Sequence, residues 1–241
     1  MTDQPVLELE EIAKSFGKLQ AVQPLSLSVY PGQVLGIIGP NGSGKTTLFN
    51  CISGVLKPSS GKVRLNSVNL TGKRPHLFAR KGLGRTFQIA TPFVAMTVME
   101  NMLVPEMVRD TKASRRKAAE ILEMLKLTRL THESAGNLSG GQMKLLELGR
   151  IMMCDPKIVI LDEIGAGVHP NLKNVIADNI RHYQSRGVAF LLIEHDMDFI
   201  QDVCEDIVVM AYGEVIARGT FEEVTRSERV IESYLGAEIE A

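Results

Sequence analysis

The sequence has few of the features that mark secreted, membrane-spanning or nucleic-acid-binding proteins. Its three cysteines, Cys51, Cys154 and Cys204, have no paired spacing, which excludes a zinc pattern or disulfide framework and fits a reducing compartment. The net charge of −1 lacks the basic excess of a nucleic-acid-binding protein. The longest apolar run, at 188–193, falls far below the roughly 20 residues of a membrane helix. With no secretory signal expected at the N-terminus, these absences predict a cytosolic protein, or one held at a membrane by a partner.

Short apolar runs alternate with helical patterns along most of the chain. The runs have strand length and stand at 34–38, 157–161, 188–193 and 206–211. Helical patterns fall around 44–54, 139–153, 170–185 and 196–203. Near-continuous apolar strands are typical of a parallel sheet covered on both faces, so this alternation predicts an α/β fold with a mostly parallel sheet. The N-terminal segment instead predicts short strands with turns, as an antiparallel β edge.

The middle of the chain reads as mostly helical. An amphipathic stripe of Ala118, Ile121, Leu122 and Leu125 predicts one helix there. We therefore expect a helical subdomain over about 89–153, inserted into an α/β core formed by 1–88 and 154–241. Three methionines at helical spacing, at positions 96, 99 and 102, fit either ordinary core packing or an adaptable docking surface.

A phosphate-binding motif follows the first apolar run. Residues 39–46 read GPNGSGKT, which matches the pattern G-x-x-x-x-G-K-[ST], and they stand between a strand and a helical segment, as that motif requires. Backbone N–H groups of such a loop surround phosphate oxygens, and the helix N-terminus adds positive potential. Lys45 would reach the β- and γ-phosphates, and the Thr46 hydroxyl would ligate Mg²⁺. The predicted nucleotide-binding residues here are Gly39, Pro40, Asn41, Gly42, Ser43, Gly44, Lys45, Thr46 and Thr47.

Two adjacent carboxylates, Asp162 and Glu163, close the apolar run of KIVILDE. We expect this strand to lie beside the strand that precedes the phosphate loop. Because successive side chains of a strand point to opposite faces, we expect the two acids to have different roles. Asp162 is assigned to Mg²⁺ and Glu163 to the general base that activates water. The alternative is that both acids are only the polar end of a buried strand.

A third motif, LSGGQ at 138–142, opens the helical pattern that follows it. Ser139 and Gln142 predict a capping box, which alone would account for both residues. Gly140 and Gly141 are poor helix formers, and they fit a site where a ligand approaches the backbone at a helix N-terminus.

LSGGQ, GPNGSGKT and ILDE together resemble the ATP-binding cassette (ABC) family, over nearly the whole chain and in the family's order. The resemblance implies three further site residues. Gln88, in GRTFQ, would link the Mg²⁺ site to the helical subdomain and serve catalysis. His195, in LLIEHDM, would contact the γ-phosphate, and Phe16, in KSFG, would stack on adenine.

The resemblance also implies partners. Two family subunits pair head to tail, so Ser139, Gly140, Gly141 and Gln142 would act on the nucleotide of a second ATPase subunit, identical or paralogous. ATP binding would close this dimer and pull on two membrane-spanning subunits, at the cytoplasmic face of the membrane.

The residues around the motifs are similar to one branch of the family. GRTFQ, AGVHP, LLIEHDM and IESYLG resemble the ATPase subunits of bacterial and archaeal importers for branched-chain or other hydrophobic amino acids, which work with a substrate-binding protein. The alternatives are a soluble cassette ATPase, such as one serving iron–sulfur assembly, or the ATPase of lipopolysaccharide export. A DNA-maintenance cassette is disfavoured because the helical segment is too short for its coiled coils.

Two residues depart from the family pattern after the carboxylates. Ile164 replaces the usual proline, and because proline fixes backbone shape, we expect a more flexible loop. His169 stands where most cassettes have aspartate. It is predicted to contact the partner ATPase subunit and not to serve as a metal ligand or base.

Overall fold

The computed structural model describes residues 4–86, 91–105 and 111–239. Its strands are, in chain order, β1 (Leu7–Phe16), β2 (Leu19–Val29), β3 (Val34–Ile38), β4 (Ser60–Leu65), β5 (Val68–Asn69), β6 (Leu83–Arg85), β7 (Ile158–Asp162), β8 (Ala189–Ile193), β9 (Asp206–Ala211) and β10 (Glu214–Gly219). Its helices are α1 (Lys45–Ile52), α2 (Pro75–Arg80), α3 (Val98–Leu103), α4 (Lys112–Met124), α5 (Gly140–Met152), α6 (Pro170–Gln184), α7 (Met197–Val203), α8 (Phe221–Thr225) and α9 (Glu228–Ile239). The four predicted apolar strands and the four predicted helices all form, within one or two residues of the expected bounds.

The larger sheet has six strands in the order β10-β9-β3-β8-β7-β6. All pairings are parallel except that of β9 with β10. Every residue of β3, β7 and β8 is buried. Alternate side chains of these strands enter two hydrophobic clusters, one on each face of the sheet. The fully apolar runs are explained by this cover on both faces, and the predicted α/β fold is confirmed.

The sheet order corrects one expectation. The strand that ends in Asp162 does not lie beside the phosphate-loop strand, because β8 stands between β3 and β7. Parallel strands are joined by long crossovers, so the order of strands along the chain does not decide which of them are neighbours. The intervening β8 is followed by Glu194 and then by His195, which lies between the two motifs.

The second sheet is antiparallel, with the order β2-β1-β4-β5, and it confirms the predicted β edge. Its first two strands are longer than expected, at ten and eleven residues. The pairing of β1 with β2 shifts register between Leu9 and Ile12 and then continues. Glu11, which lies within this interval, has a left-handed backbone at φ +49°. Strand bulges of this kind bend a sheet without ending it. This sheet and helix α1 share one hydrophobic cluster with a face of the larger sheet, which fixes the phosphate loop between the sheets.

Helices α3, α4 and α5 form the predicted helical region. The expected stripe of α4 is buried, and it shares a hydrophobic cluster with α5 and with the other face of the six-stranded sheet. Met102 is fully buried in that cluster and Met99 packs against it. Core packing therefore accounts for two of the three methionines. Within the described ranges, no helix has the length and apolar character needed to cross a membrane.

Candidate functional site

The phosphate loop connects β3 to α1 and has a backbone that only glycine accommodates at two points. Gly39 has φ +150°, and a Cβ there would lie 2.0 Å from the carbonyl oxygen of Met210. Gly44 is the N-cap of α1 at φ +99°, and a Cβ would lie 2.3 Å from the carbonyl oxygen of Ala21. Packing against β9 and β2 therefore demands two of the motif glycines before any ligand is considered.

Lys45 is folded into its own loop. Its Nζ donates hydrogen bonds to the carbonyl oxygens of Gly39 at 2.7 Å and Pro40 at 2.9 Å, and to the Ser43 hydroxyl at 3.2 Å. Burial lowers the pKa of this ammonium, and the negative charge of Glu163 opposes that shift. The Lys45 ammonium thus places one positive charge at the centre of the loop. Its hydrogen bonds to carbonyl oxygens can be exchanged for hydrogen bonds to a bound anion.

A cleft of about 530 Å³ opens beside this loop. Its wall includes residues of β1, β2 and β8. The predicted site residues on this wall are Phe16, Asn41, Gly42, Ser43, Gly44, Lys45, Thr46, Thr47, Glu163 and His195. Phe16 is 47% exposed, as a ring that stacks on a ligand must be. Tyr212, a second aromatic ring at this cleft, was not predicted.

The two carboxylates have different surroundings, as their alternation implied. Asp162 is the last residue of β7 and accepts from Arg85 Nη2 at 3.3 Å, with both side chains 8% exposed. Burial raises the pKa of Asp162, and the nearby Arg85 charge opposes the shift. Asp162 N–H donates to the Thr86 hydroxyl at 3.0 Å. Arg85 was missed at the sequence level, where only Gln88 was singled out in the same segment.

Glu163 turns the other way, into the cleft. Its φ of +51° places a non-glycine residue in the left-handed region, where the strand ends. Its N–H donates to the carbonyl of Ile193 at 2.9 Å. One carboxylate oxygen lies 3.3 Å from His195 Nε2. A carboxylate, an imidazole and the ammonium of Lys45 therefore face one cavity, an arrangement suited to polarising water beside a bound phosphate.

The LSGGQ segment has the predicted capping box. Ser139 Oγ accepts from the Gln142 N–H at 3.3 Å, and Gln142 Oε1 accepts from the Ser139 N–H at 2.8 Å. A Cβ at Gly141 would lie 2.8 Å from Leu172 Cδ1, so the Leu172 side chain on α6 would have to move. At Gly140 nothing lies within 4 Å of an added Cβ. The second glycine therefore packs against α6, whereas the first leaves open backbone.

Three other predictions concern Gln88, Ile164 and His169. Gln88 lies outside the described residues. Ile164 is 2% exposed in the hydrophobic core, so packing holds this position and argues against a flexible loop. His169 is the N-cap of α6, where its Nδ1 accepts from the Asn171 N–H at 3.3 Å.

Glu194 is a further acidic residue at the site that the sequence reasoning missed. It is 2% exposed and accepts from the Gly165 N–H at 2.6 Å. Burial raises its pKa to about 7. Its signal was present in LLIEHDM, where an acid closes an apolar run as Asp162 does.

Glu194 predicts a pH dependence of stability. Its folded-state pKa of about 7 exceeds its ordinary value of 4.5, so between these pH values the folded chain keeps a proton that the unfolded chain loses. Stability is therefore lost as pH rises through this window, by up to about 3 kcal/mol. Glutamine cannot titrate. We expect Glu194→Gln to gain stability relative to the wild type at pH 8 but not at pH 5, in urea unfolding.

The exposed Glu205 supplies a matched control for this experiment. Glu205→Gln removes one carboxylate at the surface, where solvent already compensates the charge, and it should leave the pH dependence as in the wild type. Parallel stability curves for Glu194→Gln and the wild type across pH 5–8 would contradict the assignment.

Two family models match parts of this chain. A family model described as ABC transporter matches residues 22–166. A second, described as branched-chain amino acid ATP-binding cassette transporter, matches residues 214–240.

Similar proteins cover nearly the whole chain. A protein of Archaeoglobus fulgidus, named as a probable branched-chain amino acid transport ATP-binding protein LivG, is 40% identical over 97% of this chain and 96% of its own length. A high-affinity branched-chain amino acid transport ATP-binding protein LivG from Escherichia coli is 36% identical over 97% and 98%. A solved nucleotide-free ATP-binding cassette from an ABC transporter aligns with a TM-score of 0.88 and 38% identity, over 96% of this chain and 99% of that one.

Proposed function

This chain belongs to the ABC transporter family, and from that premise we propose that it is the ATP-hydrolysing subunit of a bacterial or archaeal importer for branched-chain or other hydrophobic amino acids. The observation that carries the catalytic part is one cleft that holds the phosphate loop, Glu163 and His195 together. The names of the similar proteins and the match over residues 214–240 support the importer branch.

ATP binds in the cleft with its phosphates on the loop from Gly39 to Thr46. Lys45 exchanges its carbonyl partners for the β- and γ-phosphates, and the N–H groups at the start of α1 complete the cradle. Phe16 stacks on the adenine ring from the end of β1. Stacking is worth about 1–3 kcal/mol in comparable base–aromatic contacts and does not select one purine over another.

The residues at the cleft fit Mg²⁺. This ion keeps several waters and is held by one or two carboxylates together with substrate phosphates, so a preformed cage is unnecessary. Thr46 offers a hydroxyl at the cleft wall. Asp162 is not among the residues that line the cleft, and its carboxylate, one residue before Glu163, would have to leave its contact with Arg85 to reach the ion. Gln88 is the third proposed ligand. When bound, the ion neutralises charge on the phosphates.

Hydrolysis requires an oriented water beside the γ-phosphate. Glu163 accepts a hydrogen bond from this water and polarises it as the general base. His195, 3.3 Å from the Glu163 carboxylate, orients that carboxylate and contacts the γ-phosphate. The backbone of β8 and the side chain of His195 hold Glu163, so its carboxylate has one preferred orientation. This reduces the entropy cost of the attack of water on the γ-phosphate.

Each ATP is shared with a second ATPase subunit arranged head to tail. Ser139, Gly140, Gly141 and Gln142 contact the nucleotide bound to the partner. The open backbone at Gly140 supports this role, because a γ-phosphate needs close approach to N–H groups at a helix start. Closure of the dimer drives two membrane-spanning subunits at the cytoplasmic face, and a substrate-binding protein delivers the amino acid to them.

Capture of the tagged full chain from solubilised membranes tests the transport role. We expect two hydrophobic membrane subunits and one ATPase subunit, identical or paralogous, to co-purify with it. Recovery with soluble iron–sulfur assembly proteins, or with lipopolysaccharide export components, would overturn the proposed importer. ATP hydrolysis by the same preparation, measured in parallel, keeps the catalytic assignment separate from the transport assignment.

A further inference from the structure

Two side chains from different elements hold the segment from Glu163 to Ala166. Lys144, on α5, donates from Nζ to the carbonyl oxygens of Glu163 and Ala166, both at 2.7 Å. Glu194, the first residue after β8, accepts a hydrogen bond from the Gly165 N–H at 2.6 Å. Neither side chain has a role in nucleotide binding or hydrolysis as described above. Together they fix three backbone groups within four residues.

The segment needs outside support. Glu163 adopts a left-handed backbone conformation at φ +51°, which costs a non-glycine residue about 1–2 kcal/mol and persists only where surrounding contacts enforce it. Gly165 packs so closely that a Cβ there would lie 3.3 Å from Glu194 Oε1. The contacts of Lys144 and Glu194 add to the backbone hydrogen bond from the Glu163 N–H to the Ile193 carbonyl in enforcing it.

The position of Lys144 on α5 links two sites. It lies five residues after Ser139, on the helix that Ser139 caps. In the proposed dimer, the start of α5 contacts the ATP that is bound to the partner. Lys144, on the same helix, donates a hydrogen bond to the backbone carbonyl of Glu163, the catalytic residue of its own subunit. The Lys144 ammonium is therefore a direct polar link from α5 to Glu163, beside the hydrophobic cluster that α5 shares with Ile164.

We propose that Lys144 and Glu194 are positioning residues that hold Glu163 in register with α5, so that occupancy of one ATP site sets the geometry of the catalytic carboxylate in the other. The inference rests on the roles proposed for Ser139 and Glu163. Glu194 acts as a hydrogen-bond acceptor and Lys144 as a double donor. Each acts through the segment and not on the nucleotide.

Lys144→Met tests the link, because methionine keeps the apolar stem and removes the ammonium. In the full chain we expect kcat for ATP to fall at least about tenfold, since small misplacements of a catalytic group have effects of this size. Affinity for a non-hydrolysable ATP analogue should change less than about twofold. The Hill coefficient for ATP should fall toward about 1, since the two sites are uncoupled.

Lys117 provides the matched control. It also donates from Nζ to a backbone carbonyl at 2.7 Å, that of Met153 at the opposite end of α5. Lys117→Met should leave kcat and the Hill coefficient unchanged. If Lys144→Met behaves like Lys117→Met, the inference is overturned.

Glu194 is tested by rescue. Glu194→Met fills the same space without an acceptor, and it should lower kcat by about tenfold and speed amide exchange of the peptide that contains Gly165. Glu194→Gln keeps an acceptor oxygen and should stay within about threefold of the wild type. Equal activity of the two variants would show that the hydrogen bond to Gly165 positions nothing.

Failure of the inference can be told from failure of the proposed function. If Glu163→Gln abolishes hydrolysis while Lys144→Met leaves kcat and cooperativity intact, only the positioning role is wrong. If Glu163→Gln hydrolyses ATP normally, the catalytic assignment is wrong and the inference falls with it.

Discussion

Glu163→Gln is expected to lower kcat for ATP hydrolysis by about 10³-fold while leaving ATP binding intact, because general-base catalysis contributes about 10²–10⁴-fold. Glutamine keeps the shape of the side chain and one acceptor oxygen, so the cleft wall and the contact with His195 can persist. It lacks the charge that draws a proton from water. The variant therefore binds ATP and stops before the chemical step.

This variant should also accumulate a dimer. If ATP closes a head-to-tail pair and hydrolysis opens it, blocked hydrolysis leaves the closed form populated. Light scattering with ATP and Mg²⁺ should report twice the mass seen without nucleotide. Single-turnover hydrolysis measures the chemical step directly, and Glu205→Gln serves as the surface control. Hydrolysis within tenfold of the wild type would rule out Glu163 as the base.

Lys45→Ala is expected to weaken ATP binding by about 100-fold, which corresponds to about 3 kcal/mol for a charge-assisted hydrogen bond lost from a phosphate. The residue is 6% exposed and its ammonium lies at the centre of the phosphate loop. Removing it takes away the positive charge that compensates the phosphates, and it also frees two loop carbonyls from their donor.

Titration calorimetry with ATP measures this effect. Lys62→Ala removes a lysine that pairs with Glu10 on the antiparallel sheet, and it should leave ATP affinity within about twofold because a surface ion pair contributes little. Lys45→Met, which keeps the stem, separates loop packing from charge. An ATP affinity of Lys45→Ala close to that of the wild type would contradict the assignment of the loop.

The parts of the site that were predictable from sequence are local. The phosphate loop depends on eight consecutive residues, and the capping box of Ser139 and Gln142 on four. Their geometry follows from turn and helix-end chemistry. The apolar strands were equally predictable, since strands that are buried on both faces have no alternation of polar and apolar residues. The contrast between Asp162 and Glu163 follows from the two-residue period of a strand.

The parts that were missed depend on residues far apart in the chain. Arg85 meets Asp162 across 77 positions, and Glu194 meets Gly165 across 29. Neither pair has a spacing rule. The insertion of β8 between β3 and β7 could not be read from chain order, and Gly141 proved to have a packing partner on α6.

The pairing of Arg85 with Asp162 and the folding of Lys45 onto its own loop have a common consequence. A buried carboxylate without a partner costs several kcal/mol, and a phosphate loop without an anion leaves donors unmatched. Both charged groups have protein partners: Arg85 pairs with the Asp162 carboxylate, and the carbonyl oxygens of Gly39 and Pro40 accept from the Lys45 ammonium. A phosphate or metal ion that binds these groups must displace the existing contacts, so its measured affinity is the difference between two sets of partners.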